Sequence, residues 1–126
     1  MEFRQDVKYA KTHEWVKDLG DGILEIGITD FAQDALGDIV FINLPQEGDE
    51  VVKETPFCDV ESVKAVSDVY SPVTGVICEV NEELLDNPAL INESAFDAWM
   101  IRVKDVTDQE EYLTAEEYEA FAGEEA

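Results

Sequence analysis

One lysine in this chain stands in a setting that invites chemistry. Lys64 lies within Glu61-Ser62-Val63-Lys64-Ala65-Val66-Ser67-Asp68, between Phe57-Cys58-Asp59-Val60 and Val69-Tyr70, and is the single charge from Ser62 to Ser67. Such a segment can form a tight turn joining two strands, and a lysine at the tip of a hairpin offers its primary amine to a modifying enzyme. Taken alone, a lysine in a short motif is more often a solvated surface charge. The other reactive residue types offer less. Cys58 and Cys78 are far apart and the chain has one histidine, so neither a zinc-ligand spacing nor a Cys-x-x-Cys pair exists. Both cysteines read as small buried hydrophobes rather than a disulfide. His13 adjoins Glu14, but with no nucleophile or metal cluster nearby in sequence it reads as structural. No triad or phosphate-binding loop is present, so an enzyme is the least supported class.

The elements that must position Lys64 are short and β-rich. Runs at Ile23 to Ile28, Ile39 to Leu44, Glu50 to Lys53, Phe57 to Val60, Gly75 to Val80 and Ala98 to Val103 alternate with turn residues. The turns are announced by Gly20-Asp21-Gly22, Pro45 to Asp49, Ser71 to Gly75 and Asn87-Pro88. This pattern predicts sandwiched antiparallel sheets. A short helix is predicted from a Thr29 or Asp30 cap through Leu36 to a terminating Gly37. In the tail, Thr107-Asp108-Gln109-Glu110 and Thr114-Ala115-Glu116-Glu117 both match the capping box, with Tyr118 and Phe121 placed to pack back on the sheet and Gly123 to Ala126 expected to fray.

Composition bounds the partners. With 126 residues, 45% of them apolar, one compact domain is expected. No apolar run approaches a membrane span, and the first residues have neither signal-peptide nor transit character, which points to the cytoplasm, or to the mitochondrial matrix only if a transit peptide has been removed. Thirty-one acidic residues against eight lysines and arginines give a formal charge of -23. That charge repels nucleic acid and anionic membranes alike, and it suits either solubility or docking to basic patches on partner proteins.

Glu61-Ser62-Val63-Lys64-Ala65 followed by Ser67-Asp68 resembles the lipoylation site of the glycine cleavage H-protein family. Thr12-His13-Glu14-Trp15, Ile26 to Gln33, Leu36 to Phe41, Ser71 to Gly75 and Glu79-Val80-Asn81 are similar to that family in order and spacing, covering most of residues 7 to 104. One stretch departs from it: Ser94-Ala95-Phe96-Asp97-Ala98-Trp99 stands where the family has Ser-Pro-aromatic and a glycine before Trp.

The resemblance implies a mainly β lipoyl/biotinyl-carrier sandwich, a barrel-sandwich hybrid with short helices and a C-terminal helix. It implies one carrier domain over residues 1–126, with a core at about 7–104 and a helical tail at 105–126. It implies lipoic acid joined covalently to Lys64, with Glu61, Ser62, Val63 and Ala65 recognised by a lipoyl ligase or octanoyl transferase. The partners implied are a glycine decarboxylase that releases carbon dioxide and leaves an aminomethyl group on one sulfur, an aminomethyltransferase that passes the methylene to tetrahydrofolate and frees ammonia, and a dihydrolipoyl dehydrogenase that reoxidises the dithiol. The chemistry belongs to the cofactor and the chain is expected to be a monomer that turns nothing over. The resemblance further implies that the loaded arm docks near Thr12, Glu14 and Asp68, where carboxylates pair with its ammonium and a hydroxyl hydrogen-bonds it. Alternatives remain: relay of lipoyl groups in lipoate assembly, service to another pathway, or a biotinyl carrier, against which Val63 and Ala65 stand where methionines are usual.

Overall fold

Strands form where β-branched and aromatic residues bury one or both faces. The structure, a computed structural model, describes residues 1–125. The elements run β1 (Lys8–Tyr9), β2 (Glu14–Gly20), β3 (Ile23–Ile28), α1 (Asp30–Leu36), β4 (Ile39–Asn43), β5 (Glu50–Val51), β6 (Pro56–Ser62), β7 (Val66–Tyr70), β8 (Val73–Val80), α2 (Glu83–Asp86), α3 (Leu90–Glu93), β9 (Ile101–Gln109) and α4 (Ala115–Glu125). A six-stranded sheet is ordered β1-β2-β3-β9-β8-β5 and a three-stranded sheet β4-β6-β7. Every pairing is antiparallel. This is the expected mainly β, sandwich or barrel-like fold, with short helices and a C-terminal helix.

Three apolar clusters hold it together. One lies behind the three-stranded sheet, where Ile39, Ile42, Val60 and Val69 meet Leu84, Ile91 and Met100. A second fills the six-stranded sheet around Ile26, Ile77, Ile101 and Val103, and Phe57 packs against both. The third is aromatic and seats α4, with Tyr118 stacked on Tyr9 at 4.5 Å between ring centroids. β3 is central and buried along nearly its whole length, and Gly27 serves a close approach there. A Cβ on Gly27 would stand 2.6 Å from the ring of Trp15, its cross-strand partner, which is fully buried. Gly27→Ala is therefore expected to cost about 3 kcal/mol through overpacking, read as a lowered urea midpoint with unchanged slope.

Several local expectations hold and several do not. α1 starts at Thr29, whose hydroxyl accepts from the Ala32 amide at 3.1 Å, and ends at Gly37, whose φ is +83°. The second capping box is real: the Thr114 amide donates to Glu117 Oε1 at 2.9 Å and the Glu117 amide to Thr114 Oγ1 at 3.3 Å. Thr114→Ala should then lower stability by about 1 kcal/mol in urea denaturation. The first capping box, at Thr107 to Glu110, is not a helix start. Val73 pairs with Gln109 and Thr74 with Asp108, so the sheet ladder claims those backbone groups. The tail beginning at 105 is accordingly strand to Gln109 and becomes helical only at Ala115.

Gly123 to Glu125 stay helical where fraying was expected, and Ala126 lies outside the described residues. The strand expected from Ala98 begins at Ile101, because Ser94 to Ala98 closes a turn in which the Ala98 amide donates to Ser94 O at 3.0 Å. Glu50 to Lys53 contributes only two strand residues, and β2 goes beyond the runs recognised. Cys58 and Cys78 are free thiols, half-buried rather than fully enclosed.

Candidate functional site

β6 and β7 pair from Pro56 with Tyr70 to Glu61 with Val66, leaving Val63-Lys64-Ala65 as the hairpin tip. Ser62 ties the turn. Its amide donates to Ala65 O at 2.8 Å, and its Oγ accepts from the Lys64 and Ala65 amides at 3.1 and 3.2 Å. The Val63 amide donates to Asp38 O at 3.0 Å, which fastens the tip to the segment leaving α1. Val63, Lys64 and Ala65 are exposed, while Glu61 is half-buried, paired across the sheet with both Phe41 and Val66. None of the ion pairs among the described residues includes Lys64.

The lysine stem lies over Gly37, where an added Cβ would come within 3.2 Å of Lys64 Cε. Gly37 thus ends α1 and also leaves room for the stem. Asn92 fixes this junction, donating to Gly37 O at 2.9 Å and accepting from the Ile39 amide at 2.9 Å. α1 has no buried residue. Its apolar positions Phe31, Ala32, Ala35 and Leu36 instead form one wall of a cleft of about 370 Å³.

The opposite wall is the β7 edge, with Ser67, Asp68 and Val69, and the remaining lining comes from Thr12, His13, Glu14, Ile28 and Glu125. Asp68 is more than fifty residues from Thr12 and Glu14, yet all three share one cleft beside the Lys64 hairpin. The lining includes no lysine or arginine. A larger hollow of about 590 Å³ near the β2–β3 turn, lined by Asp18, Asp21 and Lys104 among others, gathers none of the candidate residues.

Glu14 is 2% exposed, against the ordinary expectation of a solvated acid, and the Thr12 hydroxyl donates to its Oε1. Burial pushes its carboxyl up to about 8, while bonds from Thr12 and the Tyr70 backbone pull it back and the charge of Glu110 adds to the rise. Asp68 and Thr12 are exposed at the rim. Burial also drives the Cys58 thiol far up, with the charges of Asp59, Glu14 and Asp68 adding to it, so this cysteine stays a thiol beside the cleft.

Sequence reasoning missed the apolar wall, Asn92 and Glu125. The signal for the wall was present in Phe31, Ala32, Ala35 and Leu36, which recur on one side of a single helix. Asn92 and Glu125 carry no local signal.

Comparisons with known proteins identify the family. The family model described as glycine cleavage H-protein matches residues 7–125. A glycine cleavage system H protein from Lachnoclostridium phytofermentans is 54% identical over 96% of this chain and 95% of its own length. One from Oceanobacillus iheyensis is 54% identical over 96% and 98%. The crystal structure of a glycine cleavage system H protein from Mycobacterium marinum superposes with a TM-score of 0.86 at 38% identity, covering 97% of this chain and 98% of that one. The chain belongs to the glycine cleavage H-protein family, a family of lipoyl-bearing carrier subunits rather than enzymes.

Proposed function

We propose that this chain carries lipoic acid in amide linkage on Lys64 and shuttles the aminomethyl group of glycine from a glycine decarboxylase to an aminomethyltransferase, then electrons to a dihydrolipoyl dehydrogenase. Once bound, the group supplies a dithiolane that accepts a carbon unit and two electrons. The residues present suit it. Lys64 is exposed on a turn tied by Ser62 and Asp38, and Gly37 leaves a cradle under its stem that any side chain would fill. Acylation removes the lysine charge, so the attached arm itself is neutral.

The observation that carries the reading is the buried carboxyl of Glu14 in a cleft with no lysine or arginine in its lining. Thr12 and the Tyr70 backbone already donate hydrogen bonds to it, but the cleft lining supplies no cation, so its charged form is costly until one arrives. The ammonium of an aminomethyl group is such a partner. Glu14 receives it with a charge-assisted hydrogen bond, Thr12 holds the carboxylate in orientation, Asp68 adds charge at the rim, and the α1 wall limits water. Glu61, Ser62, Val63 and Ala65 present the hairpin to a lipoyl ligase or octanoyl transferase.

The chain works as one monomeric carrier domain in the cytoplasm, steered to basic partner surfaces by its charge of -23. Among the described residues no helix is long and apolar enough to cross a membrane. The test is intact mass after expression with lipoate. One added lipoyl group is expected, with a further mass gain on incubation with glycine and the decarboxylase. A protein that gains lipoate but never responds to glycine would be a lipoate relay instead.

A further inference from the structure

His13 occupies a conformation that only specific surroundings maintain. Its φ is 76°, in the left-handed region that costs a residue with a side chain about 1 kcal/mol or more. Its backbone is held there by the Ala10 carbonyl, which accepts from the His13 amide at 3.0 Å, and by the Thr29 amide, which donates to His13 O at 3.0 Å. Both ring nitrogens are engaged: Nδ1 lies 2.7 Å from the Tyr118 hydroxyl and Nε2 2.6 Å from Glu125 Oε2. The Tyr118 hydroxyl also lies 2.7 Å from Thr29 Oγ1, which caps α1.

These contacts form a directional chain. A carboxylate only accepts, so Nε2 carries the hydrogen that reaches Glu125. Nδ1 of a neutral ring then accepts from the Tyr118 hydroxyl, whose oxygen accepts from Thr29 Oγ1, which accepts from the Ala32 amide. No donor is left over. Burial raises the Tyr118 phenol well above its ordinary value, so the hydroxyl remains a donor. Phe31, at 4.9 Å, and Phe121, at 5.9 Å between ring centroids, clamp the imidazole from α1 and α4. This hydrogen-bond relay ends on Glu125, which lines the same cleft as Glu14 and Asp68.

We propose that Glu125 is a third carboxylate of the cleft, aimed by His13, that retains the cationic end of a loaded arm. His13 is a positioning residue in this arrangement. It links the start of α1, one wall of the cleft, to the last turn of α4. The proposal rests on the carrier function proposed above and adds a residue from the C-terminal helix to the retention site.

His13 is the single histidine of the chain, so its ring nitrogens give one unambiguous set of NMR signals. In the unlipoylated protein, 15N-labelled His13 should show the Nε2–H tautomer, and Tyr118→Phe should disturb it. The Nδ1–H tautomer would overturn the relay. In the lipoylated protein, loading with glycine and the decarboxylase should shift the Nε2 signal, whereas reduction of the arm alone should not. Glu125→Gln, at a half-exposed position, should keep the wild-type urea midpoint and lipoylation, yet shorten the lifetime of the loaded adduct about threefold or more, with Glu125→Asp recovering part of it. An unchanged lifetime in Glu125→Gln, or a His13 signal indifferent to loading, would overturn the proposal. Absence of a lipoyl group from wild type, seen first by intact mass, would bring down the carrier function itself and this proposal with it.

Discussion

Lys64→Arg is expected to fold as the wild type does and to carry no lipoyl group at all. The stem of arginine can follow lysine over Gly37, and the hairpin is held by Ser62 and Asp38, not by the Lys64 side chain. Its stability should therefore stay within about 0.5 kcal/mol of wild type. The guanidinium keeps the charge but offers no primary amine for acylation, so modification is lost completely instead of being weakened. Intact mass with lipoate and a ligase reads the result directly. Lys53 and Lys104 sit on no comparable tip: Lys53 pairs with Asp108 at 3.3 Å and Lys104 lies within β9. A lipoyl group on either residue, or on the Lys64→Arg variant, would refute the assignment.

Glu14→Gln should have two large and opposite effects. A carboxyl whose folded-state pKa lies above its unfolded value binds more protons when folded between the two. The wild-type protein should thus lose stability as pH rises from about 4.5 to about 8, and the loss should level off above that. A shift from 4.5 to about 8 bounds the loss at about 5 kcal/mol. Glutamine keeps the shape and an oxygen for Thr12 but never ionises. The unlipoylated Glu14→Gln variant should be more stable than wild type above pH 8 and similar to it near pH 4.5, as read by urea midpoints across that range.

Once the arm is loaded, the order reverses. The charge-assisted bond to the ammonium is worth about 1.5 to 3 kcal/mol, so the adduct should decay roughly ten to a hundred times faster in Glu14→Gln. Parallel stability profiles for the two proteins would show that Glu14 is not buried as a charge. Equal adduct lifetimes would remove it from the retention site.

Residues that act through their neighbours in sequence were legible before the structure. Thr29 and Gly37 bound a helix by local capping chemistry, Thr114 and Glu117 satisfy one another across one turn, and the Lys64 hairpin is bracketed by its own strands. The Thr107 motif shares the Thr-x-x-Glu pattern of the Thr114 motif, yet strand pairing with Val73 and Thr74 outweighs it. A capping signal states what an isolated segment prefers, and a ladder partner more than thirty residues away is invisible to it.

The site divides the same way. Glu14 looked like any acid of an acidic chain, and its burial follows from strands and a helix distant in sequence. Resemblance to a family singled it out, and neither composition nor period could do so. Glu125 and Asn92 entered through tertiary packing alone, because each acts on a partner more than fifty residues away.

The anchoring of the hairpin tip has a consequence for how tightly the cleft must bind. With Lys64 tied beside α1 through the Val63 amide and Asp38 O, an arm attached there as proposed would meet the cleft as part of the same molecule, and a short flexible tether gives an effective concentration on the order of millimolar. A cleft whose intrinsic dissociation constant is also about millimolar would then be half occupied with no help from mass action in the cell. A partner enzyme need not overcome a tight complex to draw the arm out, since a few kilocalories of competing interaction suffice. A looser turn at Ser62 would let the attachment point wander, dilute the arm away from its own cleft, and lengthen the time its cargo spends in water.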